Sequence, residues 1–205
     1  MKGKIWDWYA PIYKRAMRAE ERSYAFLYRR IPKLIRGKEV LELATGPGLL
    51  AKRVAPVTKC MLATDYSAGM IAEAKKGACP KNLRFEVADA LSLPYADASF
   101  DAVIIVNALH LLPEPERALR EIARVLRPDG ILIAPNFVKK RERLAGRCWE
   151  LLLALAGLRF TNQWTAEEYR VFLEKYGWEV LFYKELRARM PLLYTECKRR
   201  ANRIK

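Results

Sequence analysis

The stretch Val40-Leu-Glu-Leu-Ala-Thr-Gly-Pro-Gly48 restricts the fold more than any other part of the chain. A short apolar run broken by a single acid, Glu42, reads as a buried strand. Gly46-Pro47-Gly48 ends it in a tight turn, and Leu49 to Val57 suits a helix. Strand, glycine turn and helix in that order open a βαβ unit, in which backbone N–H groups approach a ligand closely where glycines remove the Cβ. Asp65 follows 19 residues after Gly46, at the end of the next apolar run, Cys60 to Thr64. A carboxylate there is placed to accept hydrogen bonds from ribose hydroxyls, in the crevice outside the strand carboxyl ends.

The alternation continues. Ser67 is an N-cap candidate for a helix over Ala68 to Lys76, with Gly77 as its stop. Leu83 to Ala88 reads as a third strand ending at Asp89, and Ala102 to Val106 as a fourth, covered on both faces. Pro113 to Leu126 carries apolar residues at helical spacing; Pro128-Asp129-Gly130 reads as a turn and Ile131 to Ala134 as a fifth strand. Thr165, with Glu168 three residues on, forms a capping box for a helix to Tyr176. Trp178 to Tyr183 and Leu192 to Thr195 suit two closing strands. Alternating strands and helices predict an α/β domain built on a parallel sheet.

The glycine spacing alone does not choose a ligand. Gly46-x-Gly48-x-x-Ala51 also fits a dinucleotide fingerprint, and Tyr194-x-x-x-Lys198 has the spacing of a short-chain dehydrogenase pair. Tyr194, however, falls in a predicted strand near the C-terminus. Four ordered blocks carry a more specific match: Val40 to Gly48; Ala63-Thr-Asp-Tyr-Ser-Ala-Gly-Met70; Ala88-Asp-Ala-Leu-Ser-Leu-Pro-Tyr-Ala-Asp-Ala-Ser-Phe-Asp101; and Ala118-Leu-Arg-Glu-Ile-Ala-Arg-Val-Leu-Arg-Pro-Asp-Gly130. Together they resemble the class I S-adenosylmethionine-dependent methyltransferases, most closely the ubiquinone and menaquinone biosynthesis subgroup.

The resemblance covers residues 38–136 strongly and the flanks loosely. It implies a Rossmann-like fold, with a mostly parallel seven-stranded sheet, helices on both faces and an antiparallel C-terminal strand. It implies S-adenosylmethionine as cofactor and S-adenosylhomocysteine as its product. By position, Glu42 and the loop from Ala44 through Gly46 to Gly48 would hold the methionine part. Asp65 would bind the ribose, with Tyr66 beside the adenine. Asp89 would take the adenine amino group, the Ala90 N–H a ring nitrogen, and Asn107 would line the amino-acid end. The family usually has glycine where this chain has Ala44. His110, just after the fourth strand, is either an acceptor-side base or a satisfied histidine under the next loop. Tyr9, Tyr13 and His110 are the polar candidates for catalysis. A non-catalytic cofactor-binding protein is the alternative.

The chain of 205 residues suits one domain. Its expected parts are an N-terminal helical cap (1–37), a cofactor core (38–136), a helical lid insertion (137–176), and closing strands with a basic tail (177–205). A single histidine excludes a multi-histidine metal centre, and the four scattered cysteines suit free thiols in a reducing cytoplasm. The net charge of +15 is uneven. Residues 1–39 carry 11 basic and 4 acidic side chains, net +7; residues 40–138 carry 11 of each; residues 139–205 carry 16 and 8, net +8. Basic flanks around a neutral core, with Trp6, Trp8, Tyr9 and Tyr13 in the first and the apolar run Leu151 to Leu158 in the second, predict an amphiphilic or anionic small-molecule acceptor, with an anionic membrane surface as a further partner. Nucleic acid is disfavoured: Asn107-Ala-Leu-His110 stands where exocyclic-nitrogen base methyltransferases carry Asn/Asp-Pro-Pro-Tyr/Phe.

Overall fold

The computed structural model describes residues 21–139, 162–186 and 191–200. Its centre is a parallel sheet of β1 (Glu39–Leu43), β2 (Cys60–Asp65), β3 (Leu83–Val87), β4 (Phe100–Ile105) and β5 (Leu126–Ile133), in the order β3-β2-β1-β4-β5. One short strand, β6 (Asn136–Phe137), and the closing hairpin of β7 (Trp178–Leu186) and β8 (Leu192–Arg199) complete the sheet. Strand β8 runs antiparallel to β5, β6 and β7. The sequence predicts seven strands; β6 is the eighth. It is a continuation of β5 rather than a new course. Leu132 faces Cys197, Ile133 faces Glu196, and the same register resumes with Asn136 on Leu193 and Phe137 on Leu192. Pro135 interrupts the ladder because it has no N–H to give.

Alternation along each strand sends side chains to two cores. Val40, Met61, Ala63, Ala102, Ile104, Ile131, Ile133 and Tyr194 face one side, where α1 (Glu21–Ile35), α2 (Leu49–Val54) and α3 (Ala68–Ala74) lie. Leu41, Leu43, Val103, Ile105, Leu132 and Leu193 face the other, under α4 (Pro115–Val125) and α5 (Ala166–Lys175). Both faces are thus covered, as parallel sheets require. The caps follow their sequence signals. Ser67 Oγ accepts the Met70 N–H at 3.0 Å, and Thr165 with Glu168 forms a complete capping box.

Two expectations change. Pro128-Asp129-Gly130 is not a turn between elements but part of a bulge inside β5: Phe100 pairs with Leu126, and Ala102 with Ile131. The bulge aims Arg127 at Asp101 and Glu39, at 2.6 and 2.7 Å, so ion pairing holds it in the strand. The described part of the N-terminal flank, α1, lies on a sheet face rather than over the strand ends: Leu27, Ile31 and Ile35 are fully buried there. It is tied to β8 by a bidentate pair from Arg30 to the buried Glu196, Nε–Oε1 2.6 Å and Nη2–Oε2 2.9 Å, and the Tyr194 hydroxyl donates to the same Oε1 at 2.8 Å. The expected cap and lid otherwise fall on residues 1–20 and 140–161, outside the described residues.

Candidate functional site

The loop after β1 is stitched to the end of β2. The Thr45 N–H donates to the Thr64 carbonyl at 2.9 Å, the Gly46 N–H to Asp65 Oδ2 at 2.8 Å, and the Gly48 N–H back to the Thr45 carbonyl at 3.1 Å. Pro47 has no N–H. The backbone donors expected to meet a ligand are therefore spent on the loop itself, and Asp65 is the post that holds it. Three loop residues, Ala44, Gly46 and Gly48, have φ of +52°, +56° and +72°. Ala44 alone of these pays a Cβ penalty of about 1–2 kcal/mol in this region. Ala44→Gly is accordingly expected to raise the melting temperature by about 1–3 °C, because relief of strain exceeds the added unfolded-state freedom of glycine. A thermal melt showing a fall would mean that Ala44 makes a compensating contact.

What the loop leaves open is a set of side chains. Glu42 Oε2, Thr45 Oγ1 and both amide atoms of Asn107 are buried without a hydrogen-bond partner among the described residues. Glu42 leads to this loop from β1. Asn107 follows β4, the neighbouring strand, whose Ile105 pairs with Leu43. A buried unpaired polar atom costs about 1–3 kcal/mol, so four in one crevice mark a place shaped for something polar. Burial pushes the Glu42 carboxyl up to about 8; the Thr45 hydroxyl pulls the other way, and the Asp65 carboxylate adds to the rise.

Pro135 shapes the far wall. Its carbonyl accepts the Asn107 N–H at 2.8 Å, holding Asn107 at φ +53°. The Ala134 carbonyl before it accepts the hydroxyls of Tyr169 (2.9 Å) and Thr195 (2.7 Å). Beyond lies His110, on a 3-10 turn over Leu109–Leu111 and 3% exposed. Its Nδ1 is 2.9 Å from Asn136 Oδ1, and its ring meets Phe137 edge-on. Burial pushes the imidazole down to about 4, and the Asn136 bond only partly opposes this. His110 is thus neutral near pH 7, and a weaker base than an exposed imidazole.

On the β2–β3 side, Asp65 Oδ1 accepts the Ser67 N–H at 2.9 Å, so both its oxygens already carry backbone N–H groups. Tyr66, next to it, is 59% exposed. Asp89 is partly buried, and its Oδ1 takes the Leu91 N–H at 2.9 Å across Ala90. Sequence reasoning missed Phe85 and Asn136, and took in Thr45 only as part of the loop from Ala44 to Gly48. Phe85 lies beneath Gly48 and leaves no space for a Cβ there. Thr45 is a lone hydroxyl inside a glycine loop, and Asn136 a lone amide ending an apolar strand; those oddities were the available signals. Tyr9 and Tyr13 lie outside the described residues. A cleft of about 420 Å³ lined by Asp97, Arg120, Arg124 and Arg199 sits at the opposite rim, by the starts of β4 and β5, away from these groups.

A strand order of 3-2-1-4-5 closed by antiparallel strands, with its polar crevice at the carboxyl ends, defines the class I methyltransferase architecture. Residues 41–134 match a family described as "Methyltransferase domain". Among curated relatives, the demethylmenaquinone methyltransferase of Renibacterium salmoninarum is 38% identical over 101 residues, 49% of this chain and 42% of that protein. The ubiquinone/menaquinone biosynthesis C-methyltransferase UbiE of Rickettsia felis is 29% identical over 186 residues, covering 77% of this chain and 74% of that one. The chain thus spans less than half of the demethylmenaquinone relative. The methyltransferase solved with the Trm112 activator of Haloferax volcanii superposes with a TM-score of 0.82 at 19% identity, over 96% of this chain and 98% of its own. The DhpI–SAH complex superposes at 0.72 and 22%, over 98% and 100%.

Proposed function

We propose that this chain binds S-adenosylmethionine at the carboxyl ends of β1, β2 and β4 and transfers its methyl group to a small molecule. The carrying observation is the set of unpaired buried atoms on Glu42, Thr45 and Asn107. An amino-acid head group supplies what they lack. Its ammonium suits the Glu42 carboxylate, and its carboxylate suits the Thr45 hydroxyl and the Asn107 amide N–H. Asp65 and Tyr66 then fall to the ribose and adenine, and Asp89 with the Ala90 N–H to the adenine edge. The four Greek-key-free parallel crossovers bring these groups together on one rim because every parallel strand ends there.

Bound there, the cofactor supplies an electrophilic methyl on a sulfonium with a neutral leaving group. The chain's part is to hold and to exclude water. Asp65 clamps the loop through Gly46 while facing the ribose. Pro135 fixes Asn107 through its N–H. His110, neutral and held by Asn136, stands on the acceptor side.

Calorimetry is expected to show S-adenosylhomocysteine binding and no response to NAD. Asp65→Ala is expected to weaken that binding by roughly 1.5–3 kcal/mol, the scale of hydrogen bonds to a charged group. It should also lower folding stability, since the Gly46 and Ser67 N–H groups lose their acceptor. Unchanged affinity would remove the ribose role; NAD binding without S-adenosylhomocysteine binding would remove the whole reading.

For the acceptor, the names of the relatives direct the first screen to quinone precursors. The basic flanks support an amphiphilic or anionic molecule, met at an anionic membrane surface. Among the described residues no helix is long and apolar enough to cross a membrane. Surface binding needs none: each Lys or Arg near anionic lipid contributes about 1 kcal/mol. Co-flotation with anionic but not neutral vesicles at low salt is expected, and no co-flotation with either would leave a freely diffusing acceptor.

A further inference from the structure

Of the four ordered sequence blocks, the last, Ala118 to Gly130, is the one to which the proposed site gives no role. Two of its side chains, Glu121 and Arg124 on α4, nevertheless reach the loop that follows β3. Asp89 and Ala90, proposed for the adenine edge, stand in a tight turn: the Ser92 N–H donates to the Asp89 carbonyl at 3.0 Å, and the Leu91 N–H to Asp89 Oδ1 at 2.9 Å. Leu93 comes next, buried, and α4 holds it on both sides. Its N–H donates to Glu121 Oε2 at 2.8 Å, and its carbonyl accepts from Arg124 Nη2 at 2.9 Å. Arg124 Nη1 donates to the Tyr95 carbonyl at 2.6 Å and to Asp97 Oδ1 at 2.9 Å. The two α4 side chains are joined to each other, Nε–Oε1 3.0 Å and Nη2–Oε2 2.7 Å. Every guanidinium N–H thus has an acceptor. Farther along, the Ala98 and Ser99 N–H groups donate to the Arg124 and Val125 carbonyls at the end of α4, at 2.9 and 2.8 Å. On its other side the turn is tied to β2, where the Ala88 N–H donates to the Asp65 carbonyl at 3.1 Å.

We infer that Glu121 and Arg124 are positioning residues that hold the Asp89–Ser92 turn in place for an adenine ring, and so set the site's preference for that base. The inference rests on the reading of this crevice as the S-adenosylmethionine site, and deepens it by naming what fixes its base specificity. The Asp89 carboxylate is an acceptor and the Ala90 N–H a donor. Adenine offers the complement, an amino donor beside a ring-nitrogen acceptor. Hypoxanthine offers the reverse, a carbonyl beside a ring N–H. Such a pair discriminates only while both groups keep their spacing, and a part-exposed turn of four residues has few contacts of its own to keep it. The Arg–carboxylate fork is planar and rigid, so it orients both peptide planes around Leu93. The fork is itself partly exposed, with the Arg124 side chain at 31% and that of Glu121 at 21%. An ion pair so placed adds little to stability by charge alone; its effect is geometric.

The test compares S-adenosylhomocysteine with S-inosylhomocysteine, which differ only at that edge of the base, by calorimetry on the full chain. The parent should prefer the adenine compound by roughly tenfold or more, the scale of a hydrogen bond to a charged group. Arg124→Ala should bring the preference below about threefold, chiefly by weakening S-adenosylhomocysteine. Arg127→Ala is the control. It removes an arginine that also pairs with two carboxylates, those of Asp101 and Glu39, but at the starts of the strands. It should lower stability and leave the preference as it was. A preference that survives Arg124→Ala overturns the inference, as does an equal loss in Arg127→Ala, which would mark a general effect of stability. If Arg124→Ala does not fold, Arg124→Lys, with one nitrogen in place of the fork, takes its place under the same criteria. Amide hydrogen exchange on the unliganded chain gives a second readout. In Arg124→Ala the Leu93 N–H should exchange at least about tenfold faster, while β1 and β4 keep their protection. Unchanged Leu93 exchange also overturns the inference. A parent chain that binds neither compound, or both alike, removes the adenine site and this inference with it. Fast Leu93 exchange in Arg124→Ala would then show that the clamp itself exists, which tells that failure from a failure of the clamp.

Discussion

Glu42→Gln is expected to melt several degrees higher than the parent chain at pH 9 and at nearly the same temperature at pH 4. The reason is the position of the carboxyl. It is 2% exposed, and burial, resisted by Thr45 and reinforced by Asp65, raises it from 4.5 in the unfolded chain to about 8. Below pH 4.5 the group is protonated in both states, and its contribution to stability is fully present. Between 4.5 and 8 the unfolded chain binds fewer protons than the folded one, so stability falls as pH rises. Above 8 the folded carboxyl ionises too and the loss is complete. A shift of this size corresponds to roughly 3–5 kcal/mol. Glutamine copies the protonated acid and cannot ionise, so the difference between the two proteins isolates this one group. The same change should weaken S-adenosylhomocysteine binding by about 1.5–3 kcal/mol, because the ammonium loses its counter-charge. Melts of the two proteins that run parallel from pH 4 to pH 9 would show that Glu42 ionises as an ordinary surface acid. A gain in stability joined to a loss of binding is the mark of a group kept for its ligand.

Gly48→Ala is expected to cost about 2–5 kcal/mol. Two effects add. At φ +72° any Cβ is strained by about 1–2 kcal/mol. A Cβ there would also lie 2.8 Å from Cε1 and Cζ of Phe85 and 3.1 Å from the Ala74 Cβ. Phe85 is buried, so its ring yields only by disturbing the β3 side of the core, and overpacking of this kind costs about 1–3 kcal/mol. Gly77 offers the control. Its φ is +75°, but a Cβ there meets nothing within 4 Å. Gly77→Ala should therefore show the strain alone, and the gap between the two variants in urea unfolding measures the steric part. Equal losses would mean that Phe85 moves aside freely, and that glycine at 48 serves conformation only.

These two positions show which parts of the molecule were legible before any coordinates. The Gly46-Pro47-Gly48 turn, Asp65, the Ser67 cap and the Thr165–Glu168 box are local signals, and each appears where its spacing put it. Register and long-range contact are not local. Nothing around Pro128-Asp129-Gly130 announces that Arg127 will find Glu39, 88 residues earlier, and hold the segment in β5 as a bulge. The glycine loop was read as a set of free N–H donors, yet Asp65, Thr64 and Thr45 itself take them, since a buried backbone donor must be paired somewhere. What faces the crevice is instead a group of side chains, and Asn107 joins it because Pro135, in the break between β5 and β6, accepts its N–H. His110 does follow the fourth strand, on a 3-10 turn; its charge state depends on burial, which a sequence does not state.

The order of the strands in space has a consequence for the birth of the molecule. Residues 39–133 supply the five parallel strands in turn, so most of that sheet can pair while the chain is still emerging from the ribosome. Strand β8 cannot join until the ribosome has passed residue 199 and the emerged length clears its exit tunnel. Only then do Glu196 and Tyr194 reach Arg30, a partner translated 166 residues earlier. Until that moment Phe26 of α1 has no Tyr194 ring to pack against, and the β5 edge stands open. An unpaired strand edge is what a holdase chaperone recognises. Among the described elements the last strand made is the clasp on α1, so any truncation or stall before residue 192 leaves a chain with its parallel strands translated and its sheet unsealed.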